Sequence, residues 1–144
     1  MKINNSIKAI IIDNTRLLVN TCKDTDGSIF YTLPGGKQRP AELMIDTLKR
    51  ETKEETGYDV EPKTLLFIRE GFKEDSHRIE FMFICDIVSE YEENKLKYDD
   101  NQIGTKWLSI DNITHEPLFP AELRNIIKRH FLGKHNDIYL GEMQ

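Results

Sequence analysis

Two cysteines, one tryptophan and five prolines are all that the 144 residues hold of these types, and scarcity of this kind narrows the field. Cys22 and Cys85 share no metal-type or redox spacing, so each reads as a small residue buried in a strand. No apolar run approaches the roughly 18 residues expected of a membrane span. The opening "MKINNSIKAIIID" has an early lysine and then apolar residues, but it ends at Asp13 without a small-residue cleavage site. It therefore reads as a first strand and not as a signal peptide, and a cytoplasmic location is expected. There is no basic excess either: the net charge of −5 argues against a general surface for a nucleic acid polymer. It leaves open a small phosphate ligand held by a metal. With no repeat, low-complexity tract or Pro/Ser-rich linker, residues 1–144 are expected to form a single domain.

What is present is regular. A hydrophobic share of 38% allows one sizeable core, and a charged share of 31% suits a globular surface. "SIKAIIID" and "LLVNTC" read as strands joined by the turn "NTR", and "KDTDGS" as a loop before the short strand "IFYTL". From about Glu42 to Thr56 the pattern turns helical, with Met44, Ile45, Leu48 and Thr52 on one side and Gly57 at the stop. "TLLFIREGF" and "HRIEFMFICDIV" read as long strands around the turn "KEDS". "SEYEENKLKYDDNQ" reads as a polar loop and "GTKWLSI" as a last strand. "PAELRNIIKRHFL" reads as an amphipathic helix striped by Leu123, Ile126, Ile127 and Phe131. The tail, through Ile138, Tyr139 and Leu140, reads as docking on the rest. Strands mixed with two helices in this order predict a mixed sheet between helices.

One run is at odds with local propensity. At about 100° per residue, Glu51, Glu54 and Glu55 of "RETKEETG" share a flank beside the apolar stripe. Like charges three and four residues apart destabilise a helix by a few tenths of a kcal/mol per pair. They also lie near the C-terminal end, where the helix dipole favours cations. Arg50, four residues before Glu54, offsets part of this. A solvated acidic face is one explanation. A hard divalent cation is the better one, because Mg²⁺ takes oxygen ligands and binds through a few carboxylates plus substrate phosphates.

The same segment resembles the Nudix box, G-x5-E-x7-R-E-U-x-E-E-x-G-U, with U a bulky apolar residue. Gly36, Glu42, Arg50, Glu51, Glu54, Glu55 and Gly57 fill every fixed position at the required spacing. Tyr58 suits its U position, whereas Thr52 departs from the pattern in a way that should weaken packing under the helix. Arg39 and Ala41 stand where many members carry an acidic residue and a glycine. The resemblance implies an α/β fold, a Nudix-type α/β/α sandwich with a central mixed β-sheet. It also implies metal-dependent hydrolysis of a nucleoside diphosphate linked to another group, by attack of water at phosphorus. It implies Mg²⁺ (or Mn²⁺) on Glu51, Glu54, Glu55 and the carbonyl of Gly36, with Arg50 orienting a glutamate and Glu42 pairing with Arg50.

Glu54 is the first candidate for the general base, with Asp99 and Asp100 as alternatives. Lys37, Arg39, Arg69 and Arg78 are candidates for substrate phosphate. Phe30, Tyr31, Phe67 and Phe72 are candidates for stacking on a base, although aromatic residues in strands are usually core. Trp107 is expected to pack, and His77, His115, His130 and His135 show no ligand spacing. Competing readings are a non-catalytic Nudix-like regulatory domain, disfavoured because every box glutamate is kept, and an isopentenyl diphosphate isomerase, disfavoured because neither cysteine lies in a loop. RNA decapping is disfavoured by the acidic balance. A small nucleotide-derived partner is expected, with a lean towards a nucleoside triphosphate, and a homodimer is compatible with the sequence.

Overall fold

Two strands with strict alternation organise the molecule. In β1 (Lys2–Asp13), Ile7, Ala9 and Ile11 enter one core while Ile10 and Ile12 enter another. In β6 (Ser76–Ile87), Phe81, Phe83 and Cys85 belong to the first core, and Met82 and Ile84 to the second. A period of two along a central strand covered on both sides produces this division. The two strands pair in parallel from Lys2↔Ser76 to Ile11↔Cys85. The computed structural model describes every residue except Glu90, Asn94, Lys95 and Gln144. The parts of the polar loop that fall on Glu90, Asn94 and Lys95 thus lie outside the described residues.

The remaining strands are β2 (Arg16–Lys23), β3 (Ile29–Thr32), β4 (Gly35–Lys37), β5 (Val60–Lys73), β7 (Gln102–Ser109) and β8 (Tyr139–Glu142). The sheet runs β3-β2-β1-β6-β5-β8, with β4 paired to β1 and β7 to β2. It is mixed: β1 with β6 and β5 with β8 are parallel, and the other pairs are antiparallel. Helix α1 (Met44–Thr56) covers the first face, where Leu48 joins Ile7, Ile11, Leu18 and Val60. Helix α2 (Leu123–Phe131), with a 3₁₀ helix at Ile110–His115, covers the second through Leu123, Ile127, Ile110 and Ile113. Each fully buried aliphatic side chain stabilises the fold by about 1.5–3 kcal/mol. This is the expected mixed α/β architecture.

Several local expectations shift. Helix α1 begins at Met44, two residues late, because Glu42 is drawn into contacts described below. Ile45 is exposed, and Thr47 takes its place among the buried residues of the helix. Helix α2 begins at Leu123, since Pro120 to Glu122 form the turn that precedes it, and Phe131 is partly exposed. Gly57 ends α1 at φ 81°. The tail docks as β8, an edge strand beside β5. His77 is a strand residue with a partner, 2.7 Å from a Glu70 carboxylate oxygen. Among the described residues no helix is long and apolar enough to cross a membrane.

Candidate active site

The last two turns of α1 carry the three glutamates, and the fold treats each differently. Glu55 turns towards the sheet and is 2% exposed. It accepts hydrogen bonds from Asn20 Nδ2 at 2.8 Å and from the Gly35 N–H at 2.9 Å. Burial outweighs these donors and the nearby Lys8 charge and pushes the Glu55 carboxyl up to about 7. Gln102 Nε2 donates to the Glu55 main-chain carbonyl at 2.9 Å, so β2, β4 and β7 all grip the end of the helix.

Glu51 lies against the loop. A Cβ on Gly36 would stand 2.5 Å from the Glu51 carboxylate carbon, so only glycine lets the main chain approach this closely. Arg50 Nη1 donates to Glu51 at 2.7 Å. The same guanidinium forks onto Glu42 at 2.9 and 3.0 Å, and Thr47 Oγ1 donates to Glu42 at 2.6 Å. Arg50, and after it Thr47, hold the Glu42 carboxyl down at about 2. Arg50 thus ties the loop to the helix in the paired geometry that a planar guanidinium favours. Ala41, inside that loop, sits at φ 62°, the left-handed region where many family members carry glycine.

Glu54 differs from both. Its nearest cationic group is Arg50 Nη1 at 3.8 Å, and it faces a polar cavity of about 180 Å³ shared with Arg39, Glu51, Glu55, Lys97, Tyr98 and Asp99. As the side chains stand, they do not converge on one point: among the described residues, no three or more His, Cys, Asp or Glu are gathered as a metal cluster. Like-charged carboxylates repel, and Glu51 and Glu55 are turned to separate donors. The donor set nonetheless fits a hard divalent cation, being all oxygen and partly desolvated, with main chain pressed against Glu51. Of the two alternative bases, Asp99 lines this cavity and Asp100 does not.

A second cavity of about 330 Å³ adjoins the first through Glu51 and Asp99, and is lined by Lys8, Gly35, Gly36, Lys37 and Arg78. A third, of about 280 Å³, shares Lys8 and Arg78 with the second and continues into Thr32, Leu33, Met82, Phe119 and Leu123. The three form a groove that runs from carboxylates, past cations, to an apolar end. Of the candidate phosphate ligands, Lys37 and Arg78 line its middle and Arg39 its acidic end. Arg69, the fourth candidate for substrate phosphate, lines its apolar end, where it is buried and bonded to Glu80 at 2.7 Å. None of the stacking candidates lines the three cavities. Phe67 is wholly core and Tyr31 nearly so. Phe72 stacks on His77, and Phe30 packs edge-on against Phe119.

Lys8 and Phe119 are groove residues that the sequence reading missed. Lys8 had a signal: it is the one charge in the alternating row Lys8, Ile10, Ile12 on a strand covered on both faces. Phe119 had none, because its place depends on main-chain bonds between β3 and a distant segment, Tyr31 N–H to Pro117 and Phe119 N–H to Tyr31. Arg124 then stacks 5.1 Å above its ring.

Comparison with known proteins agrees with this geometry. The NUDIX domain family matches residues 3–130. The ADP-ribose pyrophosphatase of Methanocaldococcus jannaschii is 26% identical over 131 residues, 90% of this chain and 73% of that protein. The 8-oxo-dGDP phosphatase NUDT18 of Homo sapiens is 38% identical over 58 residues, which is 40% of this chain but only 17% of the relative. A NUDIX hydrolase structure from Nitrosomonas europaea superposes with a TM-score of 0.77 at 24% identity, covering 95% of this chain and 94% of the other. A Streptococcus suis ADP-ribose pyrophosphatase does so at 0.65 and 17% identity, covering 98% of each. With a box complete at its fixed positions and a family match over nearly its whole length, the chain belongs to the Nudix hydrolase family.

Proposed function

We propose that this protein is a metal-dependent pyrophosphohydrolase acting on a small nucleotide derivative, with ADP-ribose and 8-oxo-dGDP as the first candidates. The observation that carries this is the continuity of the groove. Lys8 and Arg78 line both the loop cavity and the apolar one, while Glu51 and Asp99 line both the loop cavity and the acidic one. One ligand with a diphosphate in the middle and a planar base at one end matches that order of surfaces. The two candidate substrates come from the names of the relatives.

In this reading Lys8, Lys37 and Arg78 hold phosphate oxygens, and Leu33, Met82 and Phe119 take the base. Glu51, Glu54, Glu55 and the Gly36 carbonyl would hold Mg²⁺ or Mn²⁺, which when bound neutralises the diphosphate and lowers the pKa of a coordinated water. Glu54, least committed to other partners, takes a proton from the attacking water. The water oxygen forms a new bond to the attacked phosphorus, the P–O bond to the bridging oxygen breaks, and the other phosphate departs as an anion, taking the bridging oxygen and the electron pair with it. Arg50 and Glu42 keep the loop and helix in register while this happens.

The test is phosphatase-coupled phosphate release across a panel of ADP-ribose, 8-oxo-dGDP, nucleoside triphosphates and nucleotide sugars, with Mg²⁺, Mn²⁺ or EDTA. Metal-dependent release from one class far above the rest is expected. Equal release in EDTA, or none from any compound, overturns the reading.

A further inference from the structure

We propose that the C-terminal strand β8 positions the cationic wall of the groove, acting through Arg69; this rests on the groove being the nucleotide site. Strand β8 runs parallel to β5 with Ile68 opposite Tyr139 and Glu70 opposite Glu142. The Ile68 N–H donates to Ile138, and the Met143 N–H to Glu70 at 2.9 Å. That register sets the main-chain carbonyl of Met143 on Arg69 Nη1. Arg69 Nε meanwhile donates to Glu80 Oε1 at 2.7 Å, and the other Glu80 oxygen lies 3.6 Å from Arg78 Nη1. Arg69 and Glu80 are 8% and 3% exposed, whereas the Arg78 side chain is 37% exposed and lines two of the three cavities.

The electrostatic consequence follows. Glu80 places a buried negative charge in the wall of a groove meant for an anion, which would repel the ligand and compete with it for Arg78. Arg69 neutralises Glu80 and leaves Arg78 facing the groove. Arg69 keeps that orientation because both ends of its guanidinium have acceptors, one on β6 and one on the tail. If Met143 is withdrawn, a buried donor loses its partner, which is costly enough to make the side chain turn elsewhere. Glu80 then draws Arg78 towards itself. The tail is a positioning element, not a catalytic one: none of its residues lines the groove cavities.

Two variants separate this from a merely structural strand. Gly71→Ala puts a Cβ 2.9 Å from Arg69 Nη1 and 3.3 Å from the Met143 oxygen, wedging the contact apart while keeping β8. A chain ending at Asp137 removes the strand. Kinetics are measured with whichever panel nucleotide the wild-type protein hydrolyses, and AMP binding by calorimetry, together with melting curves. We expect KM to rise about threefold to tenfold in both variants with kcat within about twofold, and AMP binding to weaken in step. Glu80→Gln in the Gly71→Ala background should bring KM back, since the competing carboxylate is gone; loss of a structural brace would not be repaired that way. An unchanged KM, a fall in kcat alone, or no recovery with Glu80→Gln overturns the proposal while leaving the enzyme reading intact. Wild-type protein that neither hydrolyses nor binds any nucleotide overturns that reading and this one with it. Should the shortened chain fail to fold, Gly71→Ala decides.

Discussion

The two faces of the sheet are built from the same strands yet serve different ends. Beneath α1, Ile7, Ala9, Ile11, Phe81, Phe83 and Cys85 form an apolar layer, and the three box glutamates sit on the helix that covers it. Beneath α2, even-numbered residues begin as core, Ile10 and Met82, and end as a polar mouth of Lys8, Arg78 and Glu80. The first face has its acidic cluster on one contiguous segment. The second has a cavity lined from β1, β3, β5, β6 and the segment before α2. In the proposed enzyme this becomes a division of labour, with bond cleavage along the flank of α1 and ligand holding on the α2 side.

The sharpest break in that division is Glu54→Gln, which removes a proton acceptor and an anionic metal ligand without changing shape. A loss of about a hundredfold or more in kcat is expected, with KM within about threefold, measured by phosphate release beside an unchanged melting curve. Arg78→Ala attacks the other face and should raise KM about tenfold while kcat largely holds. If Glu54→Gln acted on KM or Arg78→Ala on kcat, the two faces would not divide the work as described.

The pH dependence of stability probes the α1 side without substrate. In EDTA the Glu55 carboxyl titrates near 7 in the folded chain against an ordinary value of 4.5. Between those values the folded state binds more protons than the unfolded one, so stability falls as pH rises through the window, by a few kcal/mol at most. Glu42, held at about 2, works in the opposite sense: its contribution is present above 4.5 and is lost as pH falls towards 2. Melting temperatures taken from pH 4.5 to 7 should therefore decline, and Glu55→Gln should flatten the slope. A wild-type slope that Glu55→Gln leaves unaltered would show that the buried carboxyl is not its source.

The smallest expected effect concerns the layer under α1. Thr52 is wholly buried, and its hydroxyl is, among the described residues, the one buried side-chain polar atom without a hydrogen-bond partner. Thr52→Val should raise stability by about 1 kcal/mol, seen as a higher denaturant midpoint, with little change in kcat or KM. The departure from the bulky apolar pattern, visible in the sequence as a weakness, is thus also an unmet polar group, which only packing could reveal.

Legibility follows sequence distance. Gly36 to Tyr58 is one segment whose spacing alone brings the carboxylates, Arg50 and the helix stop together, because helical geometry fixes neighbours three and four residues apart. The longer strands were readable from their apolar and β-branched runs, whereas β4 and β8, short strands that exist only through pairing with β1 and β5, were not. The boundaries of α1 and α2 were not either, since Glu42 bonds to Arg50 and Thr47 on the helix without joining it, and the segment around Pro120 is held by Tyr31 of β3. Arg69 illustrates the limit: as a charged strand residue it resembles any substrate cation, and its pairing with Glu80 and Met143 depends on strands brought together across the chain.

By itself, then, the sequence determined the family, the mixed α/β class and the acidic flank of α1, because these rest on periodicity and short spacings. Only the tertiary structure decided which cations face the groove, that Glu55 is buried while Glu54 faces the polar cavity, and that the tail holds Arg69. Those outcomes depend on parallel pairing of β1 with β6 and of β5 with β8, contacts between residues about seventy positions apart whose closing is fixed by the whole core and by no local signal.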